Sequence, residues 1–388
     1  MLGRRDLLRS RLRSSLLTRG RAVDPAGVAQ RFLALQAQDF SASQWALGLR
    51  SGAALADVEQ AYRDGRVVRS WPMRGTLHAC PAEDVGWLQR LTSAKALGAA
   101  AERRRGQLRL ELRLIEQVRE QAVAVLSGGR ALGREALLAE VASRGVELLD
   151  PWKYHLIWFL AQTGTLLFGP VADGEPLLVL ADEWVAQPRD LGREEGLAEL
   201  VARYLAAHGP ARLEDMTWWS GLGKREIQAG LALAGDRVIR VEADDGTAYW
   251  MTSGLADDTG AVAGPSDDTR VAAGPPPVEL LPAFDELLLG YRDRSLTLDP
   301  AQAPLICPGG NGIFKPVVLV DGVCAGTWRP LAPGALKKLP QDRPVPIAVS
   351  WFDQAARRSA DPALLSEAAD RYARYLGRER AAVTGAAA

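Results

Sequence analysis

The chain has 388 residues, of which 47% are apolar and 24% charged, and its 47 basic and 47 acidic side chains cancel. That length supplies roughly two to four structural units with ample core, and the composition is that of an ordinary soluble protein. No apolar run approaches the ~18 to 20 residues needed to cross a bilayer, and the arginine-rich start lacks the apolar core and cleavage site of a secretory signal, so a cytoplasmic location without membrane partners is expected.

Residues 4 to 17 read as an apolar-basic helix, with Leu7, Leu8, Leu12, Leu16 and Leu17 near helical spacing. Residues 1 to 21 hold seven arginines against the single acid Asp6. Asp24 and Pro25 mark a helix start, with Asp24 as cap and Pro25 at the first helical position, and the helix is expected to run to about Leu35. The polar stretch Gln36-Ala37-Gln38-Asp39 follows. If it is extended, Gln36 and Gln38 point the same way, because side chains alternate along an extended chain. Helices are expected at 43 to 49 and 54 to 64, then two β-type runs, 66 to 71 and 72 to 80, around a turn. Helices followed by a β-hairpin make the winged-helix plan.

The same order recurs twice. Helical periodicity at 93 to 104, 112 to 127, 134 to 143 and 151 to 163 precedes strands at 165 to 168 and 176 to 180. A second arginine cluster, Arg103, Arg104, Arg105, Arg109 and Arg113, lies in this part. Helices at 198 to 207, 213 to 219 and 224 to 234 then precede strands at 238 to 242 and 248 to 252. Residues 255 to 277 are rich in Gly, Pro, Ala and Asp and are expected to form a flexible linker, since they offer too little apolar surface to offset ordering. Beyond them the chain is β-rich: 278 to 281, 313 to 320, 323 to 328 and 346 to 351, with Asp321-Gly322 as a hairpin signal. A charged helix from about 362 to 381 and a frayed alanine-rich end complete it. The expected division is therefore α+β, with winged-helix units over 1–90, 91–190 and 191–254, the linker, and a C-terminal domain over 278–388.

Cys80, Cys307 and Cys324 lack paired spacing for disulfides or zinc, and His78, His155 and His208 are equally scattered. There is no Walker loop, no dinucleotide-binding glycine fingerprint after a strand and no G-x-S-x-G elbow, so neither metal nor cofactor is expected.

Five passages combine. LALQAQDFSASQWALGLR (33–50), RSWPMRGTLHACPAEDV (69–85), AAHGPARLEDMTWWSGL (206–222), ELLPAFDELLLGYRDRS (279–295) and NGIFKPVVLVDGVCAGTW (311–328) together resemble the AlkZ/YcaQ family of winged-helix DNA glycosylases. The resemblance implies three tandem winged-helix motifs around a concave channel for double-stranded DNA, completed by a C-terminal β-barrel-like domain. It also implies excision of bulky N-alkylated purines and unhooking of interstrand crosslinks, in repair or in self-resistance to a DNA-alkylating natural product. The family's catalytic pattern is Gln, an apolar residue, then Gln or Asp. Gln36-Ala37-Gln38 fits the AlkZ-like version and departs from the YcaQ-like one.

Chemistry supports the same residues. Cleaving an N-glycosidic bond builds positive charge on the sugar, and many such enzymes place a carboxylate there. A glutamine amide is no strong base, but it can hold and orient an attacking water. That suffices when the leaving group is already good, as an N7-alkylated guanine is, since it is cationic and departs neutral.

Arg74 and His78, two positions either side of Thr76, are expected on one strand face, where they either meet phosphate and lesion or serve as a turn arginine and a core histidine. Tyr291, Arg292 and Arg294, beside Asp285, read as a phosphate clamp or as a structural salt-bridge corner, and Lys315 as a further phosphate contact. Trp45 and the pair Trp218-Trp219 read as packing. The reading is a monomeric, monofunctional DNA glycosylase acting on N7-alkylpurines. The rival is a winged-helix regulator that only binds DNA, with 224 to 228 in its recognition helix.

Overall fold

In the computed structural model, the described residues are 2–18, 23–255, 277–330 and 333–386. Residues 256–276 of the expected linker lie outside them. Helix α1 (Arg4–Ser14) leads to α2 (Pro25–Phe32), which Asp24 caps by accepting the Gly27 N–H at 2.8 Å. α2 ends three residues before the expected Leu35. Leu33 takes φ 62°, a backbone that an L side chain adopts at a cost of about 1–3 kcal/mol, and its complete burial holds it there. The chain then enters β1 (Leu35–Gln36), α3 (Phe40–Ser51), α4 (Leu55–Arg63) and the hairpin β2 (Val67–Met73) and β3 (Thr76–Pro81).

After α5 (Ala82–Thr92), which was not anticipated, and the short α6 (Ala94–Leu97) and α7 (Ala99–Leu108), the order repeats: α8 (Leu112–Leu126), α9 (Arg134–Ser143), α10 (Asp150–Gln162), β4 (Leu166–Ala172) and β5 (Glu175–Leu180). After α11 (Ala181–Trp184) it repeats again, with α12 (Arg193–His208), α13 (Leu213–Ser220), α14 (Lys224–Ala234), β6 (Val238–Glu242) and β7 (Ala248–Thr252). Each run shares one detail. The segment between its first two helices pairs with the second hairpin strand: Gln36 with His78, Leu132 with Leu178, and Ala211 with Trp250. The first two hairpins join in one sheet of order β1-β3-β2-β4-β5, while β6 and β7 stand as a pair.

The C-terminal part is a five-stranded sheet of order β12-β11-β10-β9-β8, with β8 (Val278–Leu281), β9 (Val317–Val320), β10 (Val323–Arg329), β11 (Val345–Trp351) and β12 (Ala381–Ala386). Asp321 and Gly322 turn β9 into β10 with φ 49° and 78°, as an Asp-Gly hairpin requires. The sheet is open, with β8 and β12 as its edges, so it forms part of a barrel rather than a closed one. Contrary to the expected frayed end, the terminal helix stops at Tyr375 and residues 381–386 pair in parallel with β11. Trp45 is a core residue, donating its indole N–H to Leu280 O at 2.9 Å between Tyr372 and Tyr375. This welds the first helical run to the C-terminal sheet in one apolar cluster. Among the described residues, no helix is long and apolar enough to cross a membrane.

Candidate active site

β1 is only two residues long, and its outer edge meets no further strand. The Gln36 N–H instead donates to Glu286 Oε1 at 2.7 Å. Glu286 opens the one-turn helix Glu286–Leu289, is fully buried, and accepts on its other oxygen from His208 Nε2 and the Trp219 indole, each at 3.1 Å. His208 Nδ1 lies 3.1 Å from Tyr204 O, which can only accept, so Nδ1 donates there while Nε2 faces Glu286. Burial alone would raise the Glu286 carboxyl. The hydrogen bond and charge of His208, with His78 and the Gln36 N–H, hold it below the usual glutamate value. A Cβ on Gly290 would run into the His208 ring, so glycine is the residue that allows this approach.

Neighbouring Asp285 forms a fully buried two-pronged ion pair with Arg50, at 2.8 and 2.9 Å. It also caps the Glu286–Leu289 helix through the Leu287 N–H. Asp285 thus serves as the salt-bridge corner. Buried Asp215 fixes the next segment, accepting the N–H groups of Arg292 at 2.9 Å and Arg212 at 2.9 Å and lying 3.7 Å from Arg11.

Over this buried layer opens a cleft of about 950 Å³, with Gln36 in its wall beside Arg74, Thr76, Trp218, Arg292 and Arg294. A second cleft of about 660 Å³ shares Arg74 and is lined by Lys95, Arg104, Tyr154, His155 and Trp158. Arg74 is not on a strand face with Thr76 and His78. It forms the two-residue turn with Gly75, at φ 55° and 69°, and its Nε is buried without a partner. Burial lowers its pKa from the ordinary arginine value, and the charge of Glu286 opposes that.

The two glutamines are brought to one strand end but are held differently. Gln36 is 7% exposed and its Oε1 has no partner. Gln38 is exposed, and its Oε1 accepts the Leu77 N–H at 3.3 Å. The reason lies in Arg69, whose Nε takes Ala37 O at 2.9 Å, the carbonyl Leu77 would otherwise use. His78 is fully buried, with Nδ1 2.9 Å from Thr76 O and Nε2 unpartnered. Burial, then Arg74, pushes its pKa down to about 4 against Glu286 and the Thr76 carbonyl, so the ring is neutral at pH 7.

Tyr291 needs correction as a DNA contact. Its ring is buried under Arg11 at 3.8 Å and its hydroxyl donates to His208 O at 2.8 Å, so no part of it remains for phosphate. Arg292 is exposed at the cleft, and Arg294 is half-buried, donating to Leu288 O at 2.7 Å with its guanidinium over Trp218 and Phe314. Lys315 is exposed but outside the residues lining the cleft. Trp219 packs as expected, whereas Trp218 is 43% exposed at the cleft. Sequence reasoning missed Glu286, His208, Asp215 and Arg50. The available signal was the acid pair Asp285-Glu286 inside an apolar run, because buried carboxylates demand partners.

Residues 29–375 match the family described as DNA glycosylase AlkZ-like. The chain belongs to that family. This glycosylase is 25% identical over 319 residues to the interstrand DNA cross-link repair glycosylase of Streptomyces sahachiroi, covering 78% of this chain and 81% of that protein. The solved structure of Streptomyces sahachiroi DNA glycosylase AlkZ matches it with a TM-score of 0.78 at 22% identity, over 99% of this chain and 100% of that one. Its fold is therefore the mixed α+β fold of that structure, and the alternative of a regulator that only binds DNA is set aside.

Proposed function

We propose that this glycosylase hydrolyses the N-glycosidic bond of cationic N-alkylpurines in duplex DNA, including crosslinked ones, as a monomer without cofactor. The observation that carries the reading is the Gln36 amide in the wall of an arginine-lined cleft whose only acid, among the described lining residues, is Asp293. Gln36 and Gln38 hold the attacking water, Gln36 through its unspent carbonyl oxygen and Gln38 through its NH2. The three repeated runs act as winged-helix units along a DNA channel. Arg74, Arg292 and Arg294 meet phosphates at the lesion, and the second cleft with Lys95 and Arg104 extends that track. The size of the cleft and its open side suit a bulky or crosslinked base, which is not easily swung into a closed pocket.

The test is single-turnover release of 7-methylguanine, uracil, hypoxanthine and 8-oxoguanine from otherwise identical duplexes. The cationic base should be excised and the neutral ones left. Gln36→Ala should slow release by about 10²-fold or more at nearly unchanged DNA affinity, as for loss of a positioning group. Gln38→Ala should slow it as well. Efficient uracil excision, or rates within threefold of wild type for both variants, would overturn the reading.

A further inference from the structure

The register of β1 and β3 makes Gln36 and His78 direct cross-strand neighbours. Because the next pair exchanges the Ala37 N–H with Leu77 O at 2.8 Å, theirs is the non-hydrogen-bonded pair, in which facing side chains lie closest. Both residues carry a buried acceptor without a donor: Gln36 Oε1 and His78 Nε2. His78 Nδ1 faces only the Thr76 carbonyl and must donate, which leaves Nε2 as a lone pair. The other cross-strand neighbour of His78, Ser70, does not reach Nε2, and its oxygen already accepts from Gln89 at 3.0 Å. Two facing acceptors in a buried site each lack a hydrogen bond, and such deficits are uncommon.

We propose that His78 is a positioning residue for the Gln36 amide. Turning the Gln36 side chain about its torsions sets Gln36 Nε2–H on His78 Nε2 and frees Gln36 Oε1 for the cleft. The two ends of an amide have almost the same shape, so either can face the ring, and only the NH2 end can satisfy its lone pair. The carbonyl oxygen then faces the lesion, as needed to accept a hydrogen bond from an attacking water. The Gln36 backbone is fixed from the opposite edge by Glu286, so the side-chain torsions are the freedom left to set. The charged groups facing His78 are Arg74 and Glu286, and with burial they keep the ring neutral, and so an acceptor, down to about pH 4. This role rests on the catalytic reading of Gln36.

Two experiments decide it. In single-turnover excision of 7-methylguanine, His78→Phe should lower the saturating rate about five- to tenfold with DNA affinity unchanged, the scale of one lost hydrogen bond. In a Gln36→Ala background the same substitution should have no further effect, because there is no amide left to orient. An unchanged rate, or independent losses that multiply, would overturn the proposal. Long-range 1H–15N spectra of the wild-type protein give a second arm without altering the ring, and with three histidines the assignment is tractable. His78 should show the Nδ1-protonated form with a hydrogen-bonded Nε2 that shifts in Gln36→Leu. An Nε2-protonated ring, or no response to Gln36→Leu, refutes the orientation. A wild type that releases no base would remove the catalytic reading instead, and the spectra would still decide which way the amide faces.

Discussion

Removing the Glu286 carboxylate tests whether the buried layer beneath the cleft is built as described. Three donors converge on it: the Gln36 N–H, His208 Nε2 and the Trp219 indole. Glu286→Ala leaves all three in a dry interior. At about 1–3 kcal/mol for each unpaired buried donor the sum is several kcal/mol, less what local relaxation recovers. A net loss of about 4 kcal/mol is therefore expected, together with a slower reaction, because the outer edge of β1 is no longer tied. Glu286→Gln separates charge from acceptor count. Its amide oxygen can still take the Gln36 N–H and its NH2 can face His208 Nε2, so only the Trp219 indole is stranded. That costs about 1–3 kcal/mol, and excision should stay within a few-fold of wild type. The assay is urea unfolding followed by tryptophan fluorescence, comparing midpoints and slopes, with single-turnover rates on the same preparations. If Glu286→Ala unfolds at the wild-type midpoint, the network does not support the fold. If Glu286→Gln is as damaging as Glu286→Ala, the charge matters and the donor count is the wrong account.

His78 makes stability depend on pH. Its folded pKa, about 4, lies below the ordinary histidine value of 6.5, so the native state binds fewer protons. The contribution is complete above pH 6.5 and is lost as pH falls towards 4, up to roughly 3 kcal/mol, and urea titrations at pH 7 and 5 should show His78→Phe with a flatter dependence than wild type. Trp218→Ala should leave stability unchanged, since the ring is 43% exposed, but lower affinity for DNA by about 1–3 kcal/mol if it stacks on a base at the cleft. Equal binding by fluorescence anisotropy at matched salt would exclude that stacking role.

Periodicity and turn chemistry made most of the fold legible. Residues 213–220, 224–234, 238–242 and 248–252 fall within a residue of their expected spans because each is bounded by glycine or a charged turn. The end of α2 was misjudged, since an apolar run through Leu35 hides the left-handed turn at Leu33, which only surrounding packing can impose. The terminal strand was missed for a related reason: alanines have weak strand preference, and β11 supplies the pairing. Gln36 could be singled out as a candidate because a polar pair follows an apolar helix and fits the family pattern of Gln, an apolar residue, then Gln. Its partners could not, because Glu286 and His208 lie 250 and 172 residues away in the chain and meet it only through the tertiary fold. Tyr291 shows the converse error, a residue type that often grips phosphate used here as the floor beneath an arginine.

The distribution of charge makes the substrate's context part of the mechanism. Arg74, Arg292 and Arg294 line the cleft against one acid among the described lining residues, Asp293, while Glu286 accepts the Gln36 N–H from behind with both oxygens spent. A cationic purine by itself would be repelled by the arginines of that lining, and among the described lining residues only Asp293 offsets them. On a DNA duplex the balance reverses, because phosphates neutralise the arginines and bring their own negative charge to the sugar. On the proposed reading, the duplex rather than a protein carboxylate then supplies most of the field that stabilises the developing positive charge. It follows that free 7-methylguanosine should be hydrolysed no faster with the protein than in buffer, although its leaving group is identical. With duplex DNA, log affinity should fall linearly and steeply with log salt. Rapid hydrolysis of the free nucleoside would refute the argument, since it would show that the cleft stabilises the sugar cation without help from phosphate.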